Sequence, residues 1–254
     1  MLYHLNEYHG SGGNGMPQFL VDKEDIDRSA GHATIRGEEA RHLISSLRAR
    51  AGDPVMIFNG EGGRWQGEIS AVLQGEVSII NLNDLPDGEP KAEVILAQSL
   101  IKGERWEWLL EKATELGATK IVPLNAKHSV VSISDGKAEK KMSRWNKLLL
   151  AAAKQCERGR IPQIAPPIDL NKFLKELGPP TLGEARFVLA ERYEDDKNPI
   201  NEGGSIVIAI GPEGGWDAEE IEALSSYGFV KLSLGRRILR SETAALAALS
   251  KLAW

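Results

Sequence analysis

The sequence lacks several features that would assign it to common protein classes. It has no run of about 18 apolar residues, which excludes a membrane-spanning helix. Its single cysteine, Cys156, cannot form an internal disulfide, as is usual in a reducing compartment. The first residues lack the basic start and apolar core of a signal peptide, and no His, Cys and acidic cluster has metal-ligand spacing. We therefore expect a soluble cytoplasmic protein with no bound metal.

The composition supports a folded protein with an uneven charge distribution. The 254 residues are 42% hydrophobic and 26% charged, which is enough for a packed core in one or two domains. The formal net charge of −5 divides into −6 over residues 16–90, +6 over residues 91–160 and −4 over residues 161–254, with Glu7 adding the last −1. The basic middle third is either a local anion-binding surface or a lysine-rich helix face in solvent.

The first part of the chain predicts a flexible extension and then a small β domain. Residues 1–15 are rich in Gly, His and Asn and show no periodicity, which predicts a flexible extension. Residues 16–88 predict a β-barrel-like domain of short strands and turns, which ends at a hinge over residues 86–90. Strands are predicted over residues 55–58, 66–72 and 76–82, with one helix over residues 38–47.

Residues 89–254 alternate between strands and helices, which predicts a mostly parallel α/β sheet covered on both faces. Gly117 marks the end of the first predicted helix, and Trp106 and Trp145 occupy core positions of the first two. Asp217 and Glu220 resemble a capping box that opens a helix extending to Tyr227. Strands are predicted over residues 94–98, 120–123, 187–190, 205–210 and 230–234, and an Ala-rich helix over residues 244–254.

Two loops follow predicted strand ends, where ligands bind in open α/β sheets. The first is the glycine-rich stretch 211–215, and the second is the stretch 234–243. Neither has the phosphate-binding pattern of nucleoside triphosphate sites, nor the glycine spacing of dinucleotide sites. Arg236 and Arg237 leave open an NADP-dependent oxidoreductase, although only 20 residues remain after the second strand. An adenosine ligand without phosphate, such as S-adenosylmethionine, fits these loops better.

At these loops the chain resembles a known family. The segments Gly-Pro-Glu-Gly-Gly at 211–215 and Leu-Gly-Arg-Arg-Ile-Leu-Arg-Ser-Glu-Thr-Ala at 234–244 are similar to the cofactor-binding signature of the SPOUT methyltransferases. Within them, the chain resembles the RsmE-like bacterial family that methylates ring nitrogen 3 of a uridine in small-subunit ribosomal RNA. Further matching segments lie at 37–43, 58–60, 102–105, 112–117 and 155–162, so the resemblance covers about residues 16–254.

The resemblance implies a fold, a reaction and partners. It implies a PUA-like β-barrel followed by a SPOUT domain whose mostly parallel sheet carries a C-terminal trefoil knot. It implies S-adenosylmethionine-dependent methylation of 16S ribosomal RNA, either naked or in the small subunit, by a homodimer. An inactive RNA-binding module of the same fold and the NADP-dependent oxidoreductase remain as alternatives.

The resemblance also implies site residues. Glu242 is the candidate base for the uracil imide proton, and Arg240 is the candidate stabiliser of charge on the uracil oxygens. Alternatively, Glu242 is a carboxylate favoured by the helix dipole, Arg240 forms a structural salt bridge, or Glu213 is the base. The implied cofactor-binding residues are Leu189, Ala190, Glu191, Ile210, Gly211, Pro212, Glu213, Gly214, Gly215, Leu234, Gly235, Ile238, Leu239, Arg240, Thr243 and Ala244.

The expected RNA contacts come from both parts of the chain. They are Arg41, His42, Arg48, Gln155, Arg158 and Arg160. At position 18 the chain has Gln where the family usually has Arg, so a contact made there by other members is expected to be weaker or to move to a nearby arginine.

Overall fold

The computed structural model describes residues 17–129, 135–189 and 204–254. The chain divides into two compact units, one of residues up to Asn59 together with Arg64–Leu85, the other of Gly60–Gly63 together with Pro86–Trp254. The predicted flexible extension, residues 1–15, lies outside the described residues. Among the described residues, no helix is both long and apolar enough to cross a membrane.

The first unit is a curled six-stranded sheet in the order β1-β4-β5-β6-β3-β2. β1 pairs with β4 in parallel, and the other neighbouring strands are antiparallel. Alternate residues of these strands face one core, which includes Phe19, Ile35, Ile57 and Ile79. The strands are β1 (Gln18–Leu20), β2 (Ile26–Asp27), β3 (His32–Ile35), β4 (Pro54–Phe58), β5 (Arg64–Leu73) and β6 (Glu76–Asp84).

The helix predicted over residues 38–47 of this unit is only partly α-helical. α1 spans Gly37–Arg41 and continues as a π-helical turn over His42–Ser46. Leu43 is buried in this turn, whereas Leu47, the last residue of the predicted helix, is 47% exposed. A 3₁₀ turn over Lys23–Asp25, together with β1, β2 and β3, was not predicted as separate elements. These strands are short, and two to four residues carry too little alternation to identify a strand.

The second unit is a seven-stranded parallel sheet between two layers of helices. The strands follow the order β10-β8-β7-β12-β11-β13, with β9 paired to β8. The strands are β7 (Val94–Ser99), β8 (Lys120–Asn125), β9 (Gln163–Ile164), β10 (Ile168–Asp169), β11 (Ala185–Leu189), β12 (Ile206–Ile210) and β13 (Val230–Leu232). The helices are α2 (Glu104–Glu115), α3 (Asp135–Gln155), α4 (Leu170–Leu177), α5 (Ala218–Ser226) and α6 (Ser241–Leu252).

β12 lies in the middle of this sheet, and its five residues are all buried. Ile206, Ile208 and Ile210 belong to the core shared with α2, α3 and α6. Val207 and Ala209 belong to the core on the opposite face, which also contains residues of α4 and α5. The two-residue period of a strand therefore supplies both cores, as expected for a sheet covered on both faces.

The predicted helix ends have clear physical causes. Gly117 adopts a φ of +95°, which residues with a side chain rarely adopt, and a Cβ there would lie 2.7 Å from Pro90.

The packed pair Trp106 and Trp145, with ring centroids 5.4 Å apart, confirms that both tryptophans are core residues. α6 begins at Ser241, three residues earlier than predicted, which places Glu242 in its first turn.

Candidate active site

The turn after β12, residues 211–215, is held by contacts on several sides. The Gly215 amide donates to the Pro212 carbonyl at 2.9 Å, which closes the turn. A Cβ on Gly211 would lie 3.1 Å from the Trp216 indole nitrogen, and one on Gly214 would lie 3.0 Å from His128 Cβ. Glycine therefore lets both neighbouring side chains pack against the backbone of the turn.

The predicted capping box is present at the start of α5. The Glu219 amide donates to the Asp217 carboxylate at 3.0 Å, and the Asp217 amide donates to the Glu220 carboxylate at 2.9 Å. Lys127, which follows β8, donates from Nζ to Asp217 and from its backbone amide to Glu220. The hydrogen bond from the Lys127 ammonium lowers the pKa of Asp217 below its usual value. The far end of the turn is thus anchored to the loop after β8.

The second predicted loop follows β13 and has few contacts. Ser233 and Gly235 exchange two weak hydrogen bonds of 3.3 and 3.4 Å. Gly235 has a φ of +104°, and Ile238 is 61% exposed. Within the described chain, residues 236–239 form no backbone hydrogen bond to another segment.

These two loops and the end of β11 enclose a pocket of about 300 Å³ at the carboxyl edge of the sheet. This is the edge at which parallel α/β sheets bind ligands. Its walls combine backbone of the glycine turn with apolar side chains such as Leu189, Leu234 and Leu239, which suits an adenosine. The pocket-lining residues are Leu189, Ile210, Gly211, Pro212, Glu213, Gly215, Trp216, Leu232, Ser233, Leu234, Gly235, Arg236, Arg237, Ile238, Leu239, Arg240, Ser241 and Ala244.

Not every predicted cofactor residue lines this pocket. Gly214 contacts His128 instead, and Thr243 is exposed on the first turn of α6. Ala190 and Glu191 lie outside the described residues. The other twelve predicted residues all line the pocket. The predicted set omitted six further lining residues, which are Trp216, Leu232, Ser233, Arg236, Arg237 and Ser241.

The candidate base Glu242 is buried beside this pocket. Its side chain is 8% exposed, and its Oε1 lies 3.7 Å from Nη1 of Arg105 on α2. Its Oε2 is buried and has no hydrogen-bond partner among the described residues. Nη2 of the same arginine lies 3.4 Å from Glu213 Oε1, so Arg105 joins the two carboxylates named as candidate bases. Arg240 immediately precedes α6 and is exposed.

A buried hydroxyl links the two loops to the sheet. Ser241 Oγ donates to the Gly211 carbonyl at 2.6 Å and accepts from Gln98 Nε2 at 2.9 Å. Gln98, near the end of β7, is fully buried, and Ser241 is 7% exposed. The sequence interpretation missed both residues. A polar Gln at the end of an apolar strand was the available signal, whereas Ser241 resembles an ordinary helix-capping residue.

Arg158 does not suit the predicted contact with RNA. Its side chain is 5% exposed and forms an ion pair of 2.5 Å with Glu89, which is equally buried. The same guanidinium donates to the carbonyls of Thr114 and Ala118. These contacts assign Arg158 a structural role. Gln155 and Arg160 remain exposed, and the Arg160 amide donates to Glu89.

The RNA candidates of the first unit are accessible. Arg41, His42 and Arg48 are all exposed at the end of α1 and in the loop that follows. The His42 ring lies 6.0 Å from that of Phe19. Gln18 is 1% exposed and accepts a hydrogen bond from Arg64, so this position faces the interior.

Two family profiles match the chain. A profile described as an RNA methyltransferase domain matches residues 88–253, and one described as an RNA methyltransferase PUA domain matches residues 35–78. Ribosomal RNA small subunit methyltransferase E of Bacillus subtilis strain 168 is 33% identical over 252 residues, which cover 94% of this chain and 96% of that protein. The protein of the same name from Synechocystis is 32% identical and covers 86% and 72%, respectively.

A solved structure agrees with these sequence matches. The crystal structure of ribosomal RNA small subunit methyltransferase E from Neisseria gonorrhoeae, bound to S-adenosylmethionine, superimposes with a TM-score of 0.79. The two sequences are 28% identical, and the match covers 92% of this chain and 95% of that one.

Proposed function

Because the chain belongs to the ribosomal RNA small subunit methyltransferase E family, we propose that its pocket holds S-adenosylmethionine between the turn 211–215 and the segment 234–240. The chain is an S-adenosylmethionine-dependent methyltransferase that acts on nitrogen 3 of a uridine in small-subunit ribosomal RNA. Membership of this family sets aside the oxidoreductase alternative. The glycine backbone and apolar walls of the pocket support the assignment of the cofactor to it.

The residues beside the pocket divide the chemistry between them. The bound cofactor supplies an activated methyl group, so the protein has to orient the base and remove one proton. Glu242 accepts the proton from uracil nitrogen 3, which frees the electron pair that forms the new nitrogen–carbon bond. Arg240 stabilises the negative charge that develops on the uracil oxygens. Arg105 keeps the carboxylate of Glu242 oriented from α2.

The remaining parts of the proposal concern assembly. Arg41, His42 and Arg48 of the first unit bind RNA. Gln155 and Arg160 of the second unit also contact it. The enzyme acts in the cytoplasm as a homodimer, and the segment that forms the pocket belongs to a trefoil knot.

The single observation that carries this proposal is the position of Glu242, which is buried next to a pocket made by both signature loops. Mass spectrometry of nucleosides from 16S ribosomal RNA, with and without the gene, tests the activity. We expect 3-methyluridine to disappear when the gene is removed and to return when it is restored. An unchanged level of 3-methyluridine contradicts the proposed function.

A further inference from the structure

The cofactor pocket has an unusual balance of charged side chains. Three arginines line it, Arg236, Arg237 and Arg240, and among the described residues its lining contains one acidic side chain, that of Glu213. All three arginines are exposed, and none has an acidic partner within 4 Å among the described residues. Glu213 already lies near Arg105. The described part of the lining thus has an excess of positive charge in a chain whose net charge is −5.

This excess does not match the cofactor. S-adenosylmethionine carries a sulfonium cation and a zwitterionic amino acid, so the molecule as a whole is a cation. Like charges at short distance repel each other, and arginines clustered without acids raise that repulsion. A second ligand with negative charge accounts for the cluster, and the substrate of this enzyme is a polyanion.

Arg236 and Arg237 are best placed to meet that ligand. They follow Gly235, whose φ of +104° turns the chain, and they lie in residues 236–239, which form no backbone hydrogen bond to another described segment. The planar guanidinium donates two parallel hydrogen bonds to a phosphate group, which an ammonium group cannot match. Arg240 differs from this pair because it adjoins Glu242 at the start of α6.

We propose that Arg236 and Arg237 form a phosphate-binding subsite for the RNA backbone next to the target uridine, at the mouth of the cofactor pocket. This inference rests on the proposed function, because it assumes that the uridine approaches this pocket. A phosphate group bound by both guanidinium groups neutralises their positive charge, so RNA also orders the segment beside the bound cofactor. Cofactor would then be held most tightly in the ternary complex.

The test uses the double variant Arg236→Gln/Arg237→Gln of the full chain. Its probes are S-adenosylhomocysteine and an RNA fragment of the small subunit that the natural enzyme methylates. Each phosphate contact contributes roughly 0.7 to 0.9 to the slope of log affinity against log salt. We therefore expect the slope to fall by about 1.5 and RNA affinity to fall about tenfold at moderate salt. The affinity for S-adenosylhomocysteine without RNA is expected to change less than about twofold.

A second double variant controls for net charge. Lys172→Gln/Lys175→Gln removes two positive charges from the exposed face of α4 and is expected to leave RNA affinity within about twofold of the natural enzyme. An equal loss in both variants would overturn the proposal, because it would show a general charge effect. A loss of S-adenosylhomocysteine binding with RNA binding intact would also overturn it, since the arginines would then bind the carboxylate of the cofactor.

The outcomes also separate this inference from the function it rests on. If the natural enzyme methylates the fragment but the arginine variant binds it with unchanged affinity and salt slope, only the phosphate subsite is wrong. If the natural enzyme neither binds nor methylates the fragment, the proposed function and the subsite both fail.

Discussion

The two loops that line the candidate cofactor pocket differ in how firmly the rest of the chain holds them. The turn 211–215 contacts Trp216 and His128, is tied to Ser241, and leads into a capped helix. The segment 234–240 is largely exposed and, among the described residues, has almost no hydrogen bonds beyond those at Gly235. One wall of the pocket is therefore fixed by contacts within the chain, whereas we expect the other wall to become ordered when ligands bind.

This difference separates two tasks in a methyltransferase. A preformed turn reduces the entropy that cofactor binding has to overcome. A loosely held segment leaves room for a large substrate to reach the same pocket, and we expect it to become ordered when both ligands are present. The following predictions test this division.

The largest effect, on the rate of methyl transfer, is expected from substituting Glu242, which follows the loosely held segment 234–240. Glu242→Gln keeps the shape of the side chain but removes the proton acceptor, so we expect the single-turnover rate to fall by a factor of about 10² to 10⁴. S-adenosylhomocysteine affinity should change little, because Glu242 does not line the pocket. Rapid-quench measurement of methyl transfer provides the rate.

Glu213→Gln is the matched control, since its carboxylate contacts the same arginine from the preformed turn. We expect it to retain most of the rate. A full rate in Glu242→Gln would remove that residue as the base. A large loss in Glu213→Gln alone would transfer the role to the turn.

An intermediate effect, on cofactor affinity and stability, is expected when the turn 211–215 loses its hydrogen bond to Ser241. Ser241→Ala removes the hydroxyl that bonds to Gly211 and Gln98, so the Gly211 carbonyl loses this donor and the buried Gln98 amide keeps only its bond to the Ser99 carbonyl. We expect a stability loss of about 1–3 kcal/mol and about tenfold weaker binding of S-adenosylhomocysteine. Calorimetry measures the binding, and chemical denaturation measures the stability.

Thr119→Val supplies the comparison for Ser241→Ala. Thr119 is 8% exposed, and its hydroxyl also has two hydrogen bonds, both to the backbone of Val94 and remote from the pocket. A similar stability loss with unchanged cofactor affinity is expected. Equal weakening of cofactor binding in both variants would show that Ser241 acts through stability alone.

The smallest effect, on stability, is expected from substituting Asp217, whose carboxylate accepts a hydrogen bond from Lys127 at the end of the turn 211–215. The hydrogen bond from Lys127 lowers the pKa of Asp217 below 3.8 in the folded state. The stabilisation is therefore complete above the unfolded value and is lost as the pH falls through the lower folded value. Asp217→Asn keeps a good capping residue, so we expect it to be slightly less stable than the natural protein at pH 7.

That difference should shrink in acid, as the aspartate of the natural protein becomes protonated. Denaturation midpoints of both proteins, followed from pH 7 downwards, provide the test. A stability difference that does not depend on pH would show that the Lys127 ammonium contributes nothing through the carboxylate.

Much of the fold was predictable because its signals are local. The parallel sheet followed from apolar runs such as 205–210, and the structure places β12 within that range. The helix end at Gly117 and the capping box at Asp217 each depend on a few neighbouring residues. Much of the pocket wall could be named because the glycine turn and the segment after β13 are continuous stretches of sequence.

The residues that join distant segments could not be predicted in this way. Gln98 and Ser241 are 143 positions apart, and Arg105 is just as remote from Glu242. No spacing along the chain indicates that they meet. Arg158 shows the same limit, because an arginine at the end of a helix suggests an exposed cation, whereas Glu89 and two carbonyls enclose it.

The buried pair of Glu89 and Arg158 also determines where a truncated form of the second unit can begin. The Glu89 carboxylate accepts hydrogen bonds from the guanidinium of Arg158 and the amide of Arg160, so it connects the segment before β7 to the loop after α3. A shortened protein that starts at Lys91 would retain the guanidinium without its counter-ion, and a lone buried charge is strongly destabilising. A truncated protein therefore has to begin before residue 89, even though residues 86–90 have the composition of a flexible linker.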